Sequence, residues 1–197
     1  MSGFPNLRAL QAQAAPTFLA GANFANIVAS VNTQVKAGAA TLCGITVNTA
    51  GTTSACALYD GISAVVTAPV ASPGVITWTG HPFAIGGAIK LTNAGGALPT
   101  GITANTTYYV SGAGFTANSF RIAASQSDAI AGLNSINFTG SQSGVHTGWD
   151  VSRKVATFTT AVQANLPIGV NGVQCPNGLI AITTDGGAAA DITVSYL

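Results

Sequence analysis

Charge is what this sequence most lacks. Only 6% of its 197 residues are charged, it contains no glutamate, and its formal net charge is +1. Soluble domains average about 25% charged residues, and interspersed charge normally keeps proteins apart in solution. A surface this neutral predicts a chain that works inside an assembly. It also excludes a broad electrostatic field that would attract nucleic acid or an anionic membrane.

Long apolar runs are missing too. No stretch approaches the roughly 18 apolar residues of a membrane span, and the N-terminus lacks the basic and then apolar pattern of a secretory signal. We therefore expect a chain that stays in the cytoplasm until it assembles. The Asn-x-Thr sequons at Asn105 and Asn137 are then chance occurrences. The basic doublet Arg153-Lys154 is predicted to be a solvated start of a strand.

Helical periodicity is rare and β-type alternation is common. Leu7 and Leu10 fit one face of a short N-terminal helix that Pro16 would end. Elsewhere, short apolar runs alternate with Thr, Ser and Asn between Gly and Asn turns. Many short strands without helices between them predict a sandwich or a barrel. The clearest runs are Thr41–Val47, Ala55–Tyr59, Gly74–Thr79, Ala88–Thr92, Thr106–Val110, Ser119–Ala123, Val155–Thr160, Gly178–Thr183 and Ala190–Tyr196.

The segment 41–59 is predicted to form a hairpin with its turn at residues 49–50. In that register Cys43 faces Cys56 from the neighbouring strand, close enough for a disulfide. The alternative is two reduced, buried thiols, which a cytoplasmic chain favours. The parity of the two strands places four apolar side chains on the core side: Ile45, Val47, Cys56 and Leu58.

Metal and cofactor chemistry have no support in the pattern. Cys175 is left as a free, buried thiol, and the three cysteine spacings match no zinc site. His81 and His146 could be imagined as a ligand pair, but no Cys, Asp or Glu is near either in sequence. We predict instead that they pack or cap strand ends at a junction. No catalytic, cofactor-binding or metal-binding residue is assigned.

Two catalytic constellations were weighed and set aside. Ser143 lies near His146 in sequence, but neither an acidic orienting residue nor a nucleophile motif accompanies it. Asp60 and Asp150 form the one carboxylate pair that the sequence can bring together, as a glycosidase requires. If Asp60 and Asp150 faced each other across a cleft, they would support a glycosidase activity. Without such a cleft, we predict that the chain is not an enzyme.

Residues 62–149 look like an insertion into another pattern. They contain mirrored tetrapeptides, WTGH at 78–81 and HTGW at 146–149. We expect the entering and leaving strands to lie side by side there, with Trp78 and Trp149 packed at one junction. Domain insertion requires that the ends of the guest lie close together.

Two groups of motifs resemble structural modules of tailed-phage virions. The flanking segments carry GITVNTAGTTSACALYDG, KVATFTT and CPNGLIAITTDGGAAADITVSY. They are similar to a module that decorates capsids or forms the base of a head fibre. The insertion carries TWTGH, LPTGITANTTYYV, NSFRIA and TGSQSGVHT, and resembles a small β-domain of phage fibre and decoration proteins. Neither module has a catalytic residue to transfer.

The resemblance implies an all-β protein, a jelly-roll-like β-sandwich with a small β-barrel-like domain inserted in one loop. The predicted parts are an N-terminal arm at 1–26, a discontinuous sandwich at 27–61 and 150–197, and the insert at 62–149. The sandwich is expected to stay folded when the insert is excised.

The expected function is that of a capsid decoration, or cement, protein located in the virion. It would bind the outer surface of the major capsid protein lattice as a homotrimer, without nucleic acid, membrane or cofactor. The arm would reach a neighbouring subunit. The alternative is a head-fibre, tail or baseplate module that binds host-surface glycan through stacking aromatics: Trp78, Trp149, Tyr108 and Tyr109.

Overall fold

The protein is almost entirely β-structure, which confirms the predicted all-β class. The computed structural model describes residues 22–28, 31–52, 55–159, 166–184 and 190–197. Among these residues one short helix, α1 (Gln126–Ala131), starts at a Ser125 cap and ends at Gly132. Within the same ranges no helix is long and apolar enough to cross a membrane.

The described residues form fourteen strands, numbered in chain order. The strands are β1 (Asn23–Val28), β2 (Asn32–Ala37), β3 (Ala40–Thr49), β4 (Ala55–Asp60), β5 (Ser63–Val66), β6 (Ile76–Thr77), β7 (Ala88–Ala94), β8 (Thr107–Ser111), β9 (Ser119–Ala123), β10 (Val145–Asp150), β11 (Lys154–Thr159), β12 (Leu166–Cys175), β13 (Gly178–Thr184) and β14 (Asp191–Tyr196).

Two four-stranded antiparallel sheets form a sandwich. Sheet A has the strand order β1-β14-β3-β12, and sheet B has the order β11-β4-β13-β2. Alternation along the strands sets the facing sides, because successive side chains point to opposite faces. In β14, for example, Ile192 and Val194 are buried while Thr193 and Ser195 are only half-buried. The core between the sheets includes Ile27, Leu42, Ile45, Cys56, Leu58, Leu179, Ile192 and Val194.

Strand β13 is buried on both faces. Its run GLIAITT lacks the alternation of an exposed strand, and all of its residues except Thr184 are buried. Leu179 and Ala181 belong to the sandwich core. Ile180 and Ile182 point the other way, where they pack with Trp149 of the insert. A continuous apolar run is what a strand covered on both sides requires.

The insert forms a six-stranded sheet C with its own core. Its strand order is β5-β10-β7-β8-β9-β6. Beyond β5, Thr67 exchanges two backbone hydrogen bonds with Thr77 of β6, at N···O distances of 3.2 and 2.9 Å. The sheet therefore curls until its edges meet in one bridge. Inside the curl lies a second apolar cluster, which includes Val66, Trp78, Leu91, Val110, Phe120 and Phe138.

The predicted hairpin of residues 41–59 is wrong. Strand β3 pairs with β12 and β14 in sheet A, whereas β4 pairs with β11 and β13 in sheet B. The connection leads from one sheet to the other, so both strands contribute side chains to the core between the sheets. Their predicted core parity is nevertheless confirmed, because Ile45, Val47, Cys56 and Leu58 are all buried.

Cys43 is not a cross-strand neighbour of Cys56, because β3 and β4 lie in different sheets, and a bulge in β3 also turns Cys43 away from the core. Ser195 pairs with Gly44, and Tyr196 pairs with Leu42, so Cys43 has no partner in the register of β14. The bulge reverses the parity of β3 and leaves Cys43 half-exposed. All three cysteines are free thiols, and Cys175 is buried as predicted.

The predicted arm at 1–26 overlaps a strand. Residues 23–26 belong to β1, which pairs with β14 in sheet A, so the sandwich begins earlier than expected. The rest of the arm, including the helix predicted around Leu7 and Leu10, lies outside the described residues. The division into separate domains stays a prediction.

Candidate functional site

The chain crosses between sandwich and insert at two adjacent places, which we call the joint (residues 60–62 and 150–153). The N–H of Asp60 donates to the carbonyl of Arg153, and the N–H of Asp150 donates to that of Ile62, both at 2.9 Å. A side chain at Gly61 would collide with the Asp150 carbonyl, so this close approach requires glycine. The joint is thus a continuous antiparallel ribbon that runs from β4 and β11 into β5 and β10.

Asp60 is the centre of the joint. Its side chain is 1% exposed. Its Oδ1 accepts the backbone N–H of Asn177 at 2.8 Å and that of Gly178 at 3.4 Å. Its Oδ2 accepts from Asn177 Nδ2 at 3.2 Å and from the Arg153 guanidinium at 2.7 Å. A buried carboxylate with this many donors is a structural anchor, because no lone pair is left facing open solvent.

Asp150 lies beside this anchor but has fewer donors. It is 4% exposed, and its Oδ1 accepts the N–H of Ser152 at 3.0 Å. Burial raises the pKa of the Asp150 carboxyl, and the neighbouring Asp60 charge adds to the rise. The structure therefore brings the predicted carboxylate pair together. However, both groups are buried in the joint, and neither lines the groove beside His146 or the groove over Thr46 and Thr193.

Arg153 and Asn177 complete the site, and the sequence did not reveal either of them. Arg153 was predicted to be solvated, and its side chain is indeed 60% exposed while it pairs with Asp60. Asn177 lies in the turn between β12 and β13. Both partners are distant from Asp60 in sequence, so only the sheet pairing brings them together.

Trp149 attaches the insert to the sandwich. Its ring is 8% exposed and packs in a cluster with Tyr59, Val151, Ile180 and Ile182. Its indole N–H donates to Thr92 Oγ1 at 2.8 Å, so the one polar group of the ring is satisfied. The expectation that Trp149 packs at the junction is confirmed.

The mirrored tetrapeptides do not lie side by side. Trp78 donates its backbone N–H to Asn118 and belongs to the core of the insert. The ends of the insert meet instead through β5 and β10, which pair from Ser63 with Trp149 onward. Trp78 still reaches the second motif, because its ring packs on the inner face of Gly148.

The two histidines have separate surroundings. His81 Nε2 lies 2.8 Å from the carbonyl oxygen of Thr116, and the ring packs edge-on against Phe115 and Phe120 at centroid distances of 5.2 and 4.9 Å. His81 therefore fills an aromatic cluster of the insert, whereas junction packing had been predicted. In the described part of the chain no three His, Cys or Asp side chains come together as metal ligands.

His146 is buried at one end of the curled sheet. Its Nδ1 lies 2.7 Å from Asn93 Oδ1, and its Nε2 lies 2.5 Å from Gln142 Oε1. A neutral imidazole has one donor and one acceptor, so one amide must present its NH₂ group. The Asn93 Nδ2 is buried without a partner among the described residues. Rotating this amide lets its NH₂ group donate to Nδ1 while the Nε2–H donates to Gln142 Oε1, and we assign that orientation.

Mild acid should weaken the fold through His146. Burial lowers the pKa of its imidazole, so the folded state binds the proton less readily than the unfolded state. Stability contributed by the neutral ring is present above the unfolded pKa of about 6.5 and is lost as the pH falls below it. We expect the melting temperature of the wild type to fall more between pH 7.5 and pH 5 than that of His146→Gln. Asp150 titrates in both proteins, so its contribution to the fall in melting temperature cancels in the comparison. Equal falls in the wild type and in His146→Gln would contradict this role of His146.

The remaining reactive groups have structural surroundings. Ser143 Oγ accepts the N–H of Ala97 at 3.3 Å, while both ring nitrogens of His146 face amide groups, so the two do not form a catalytic pair. Burial raises the pKa of the Cys56 thiol to about 12 and also raises that of Cys175. Neither thiol is activated for chemistry, because the thiolate is the reactive form.

Comparison with protein-family models, with curated proteins and with solved structures finds no match to this chain. The fold and the joint therefore have to be interpreted from their own geometry.

Proposed function

We propose that the protein is a capsid decoration protein of a tailed phage, which binds the outer surface of the major capsid protein lattice and stabilises the head. Binding is non-covalent and involves no catalytic step. The protein acts as a homotrimer at the three-fold or quasi-three-fold positions that symmetric capsids offer.

The observation that carries the proposal is a surface with few charges on a two-part β-protein. With 6% charged residues, the surface has little protection against association. Large apolar side chains are also exposed on the insert, a feature that often marks interaction surfaces when they cluster. These include Val65, Ile85, Ile130, Leu133 and Val145. A subunit fixed in a lattice tolerates such a surface, because its neighbours occupy it.

The joint supports the same proposal. The insert is mounted through a paired ribbon, a buried carboxylate anchor and the Trp149 cluster. Such a mount holds the insert in one orientation on the sandwich. An insert held in one orientation suits a protein that occupies equivalent positions on a symmetric shell, because every copy then presents the same surface.

The alternative, glycan attachment, has little support because three of its four proposed stacking residues are buried. Trp78 is 4% exposed, Trp149 is 8% exposed and Tyr108 is 6% exposed, and Tyr108 accepts the N–H of Thr103 through its hydroxyl. Of the four aromatics considered, only Tyr109 is half-exposed. Sugar stacking needs an exposed ring face, so this alternative has less support.

The proposal predicts that heads lacking the protein assemble but rupture at a lower temperature. A protein that binds the intact shell but not the ruptured one stabilises the shell by an amount that grows with the logarithm of its free concentration above Kd. Adding purified protein back should therefore restore the rupture temperature. The measurement is release of packaged DNA on heating. Unchanged rupture in the deletion mutant, together with no binding of added protein, would refute a decoration role.

A further inference from the structure

The sandwich has one sheet face already covered and one that the insert leaves open. The outer side of sheet B packs against the insert through Ile180, Ile182 and Trp149. The outer side of sheet A lies on the opposite side of the sandwich. A lattice partner that binds through sheet A therefore leaves the insert pointing away from the shell.

The outer face of sheet A carries hydroxyl and amide groups on its two central strands, with Phe24 and Val28 exposed on the edge strand β1. Thr46 pairs directly with Thr193 on the neighbouring strand. Asn48 Nδ2 donates to Thr193 Oγ1 at 2.8 Å, and Ser195 Oγ donates to the Gly44 carbonyl at 3.1 Å. A shallow groove of about 180 Å³ lies over these side chains; it is lined by Phe24, Thr46, Asn48, Thr193 and Ser195.

This face carries almost no charge. Asp191 is the single charged residue on the four strands of sheet A, and its carboxylate accepts from Asn48 Nδ2 at 3.0 Å. The described cations lie elsewhere, on β2, β7, β9, β11 and the joint: Lys36, Lys90, Arg121, Lys154 and Arg153. Such a face cannot recognise a charged partner, because it offers no counter-charge.

The chemistry of the face also defines its partner. Hydroxyl and amide groups lose their water when covered, so the partner must supply hydrogen bonds in return. A purely hydrocarbon surface cannot do this. Four strands about 4.8 Å apart, two of six residues and two of ten, cover roughly 300–500 Å², well below the roughly 800 Å² per partner of a standard interface. One such face is too small to hold two copies together, but three faces of a trimer bind a lattice jointly.

We propose that sheet A is the docking face, and that its Thr46, Asn48, Thr193 and Ser195 side chains bind an uncharged, hydrogen-bonding surface of the major capsid protein. This inference rests on the proposed decoration function and adds the orientation of the protein on the shell. Because no ion pairs are involved, binding should change little between low and high salt, unlike electrostatically driven association.

Lysine substitutions test the face. The probe is a head assembled without this protein, and the readout is co-sedimentation of purified protein with those heads. Thr46→Lys and Thr193→Lys should each weaken binding by about a hundredfold, because an unpaired charge is buried at the interface. The matched control is Thr139→Lys, which places the same charge on an exposed residue of the insert, away from sheet A. It should bind like the wild type, and melting temperatures establish that each variant is folded.

The outcomes separate the inference from the function on which it rests. If wild type binds but the Thr46→Lys and Thr193→Lys variants bind equally well, or if the control Thr139→Lys alone loses binding, the docking face is wrong and decoration stands. If wild type does not bind at all, both fail. If Thr46→Lys instead dissociates the free oligomer, the face joins copies of this chain and lattice docking is overturned. If both threonine variants unfold, the salt dependence of wild-type binding to heads tests the docking face instead. Little change with salt is the expected result, and strong weakening by salt would contradict an uncharged interface.

Discussion

Excision of residues 62–149, with the ends joined by a short glycine linker, is expected to give a sandwich that aggregates or is largely unfolded. The sequence alone predicted that the sandwich would survive. In the structure, however, the outer face of sheet B is covered by the insert, and Tyr59, Ile180 and Ile182 are at most 7% exposed. Excision also removes Trp149, the centre of that contact.

The size of the effect follows from the exposed area. Fully exposing one large apolar side chain costs about 1.5–3 kcal/mol, so uncovering Ile180, Ile182 and Tyr59 costs roughly 4–9 kcal/mol. Whole domains are stable by only about 5–15 kcal/mol. Solubility and circular dichroism of the excised protein measure the outcome.

A matched variant identifies the cause. Ile180→Thr and Ile182→Thr in the excised protein keep β-branched side chains on the strand but make the uncovered face polar. We expect them to restore a soluble, folded sandwich. Excised protein that folds without these changes would show that the insert contributes nothing to the stability of the sandwich. If the excised protein stays unfolded with Ile180→Thr and Ile182→Thr, the sandwich depends on the insert for a reason other than the cover over these two side chains.

Asp60→Ala is expected to destabilise the full-length protein by about 3 kcal/mol, because it leaves buried donors without an acceptor. The backbone N–H groups of Asn177 and Gly178 both lose their partner. The loss occurs in the joint, so the ribbon between sandwich and insert should loosen as well. Urea unfolding gives the free energy directly, and faster hydrogen exchange at Gly178 would report the local effect.

Arg153→Met is the control for the ion pair. Its guanidinium is 60% exposed, and solvent-exposed ion pairs contribute only about 0–1 kcal/mol. We therefore expect this variant to lose much less stability than Asp60→Ala. Equal losses would mean that the ion pair, not the backbone donors, makes Asp60 important.

Many of the strands could be predicted from the sequence because local alternation reports burial, although β1, β2, β5 and β12 were missed. The runs at Ala55–Tyr59 and Ser119–Ala123 match β4 (Ala55–Asp60) and β9 (Ser119–Ala123). The parity of Ile45 and Leu58 was also correct, since it depends only on which side of each strand is apolar. Strand β2 lacked such a signal, because only Val35 in it is buried.

Pairing between strands could not be predicted in the same way. A short turn between β3 and β4 is compatible with a hairpin or with a crossing between two sheets, and only contacts with distant strands decide between them. The bulge at Cys43 likewise depends on β14 and β12. The Asp60 anchor needs Arg153 and Asn177, which follow the insert in the sequence, whereas Asp60 precedes it.

Labelling the protein in native particles and imaging them by electron microscopy tests the central claim most directly. The decoration proposal predicts label over the whole outer surface of the head, repeated with the symmetry of the capsid lattice. Label confined to the tail, to a baseplate or to a single vertex, or particles without label, would contradict it.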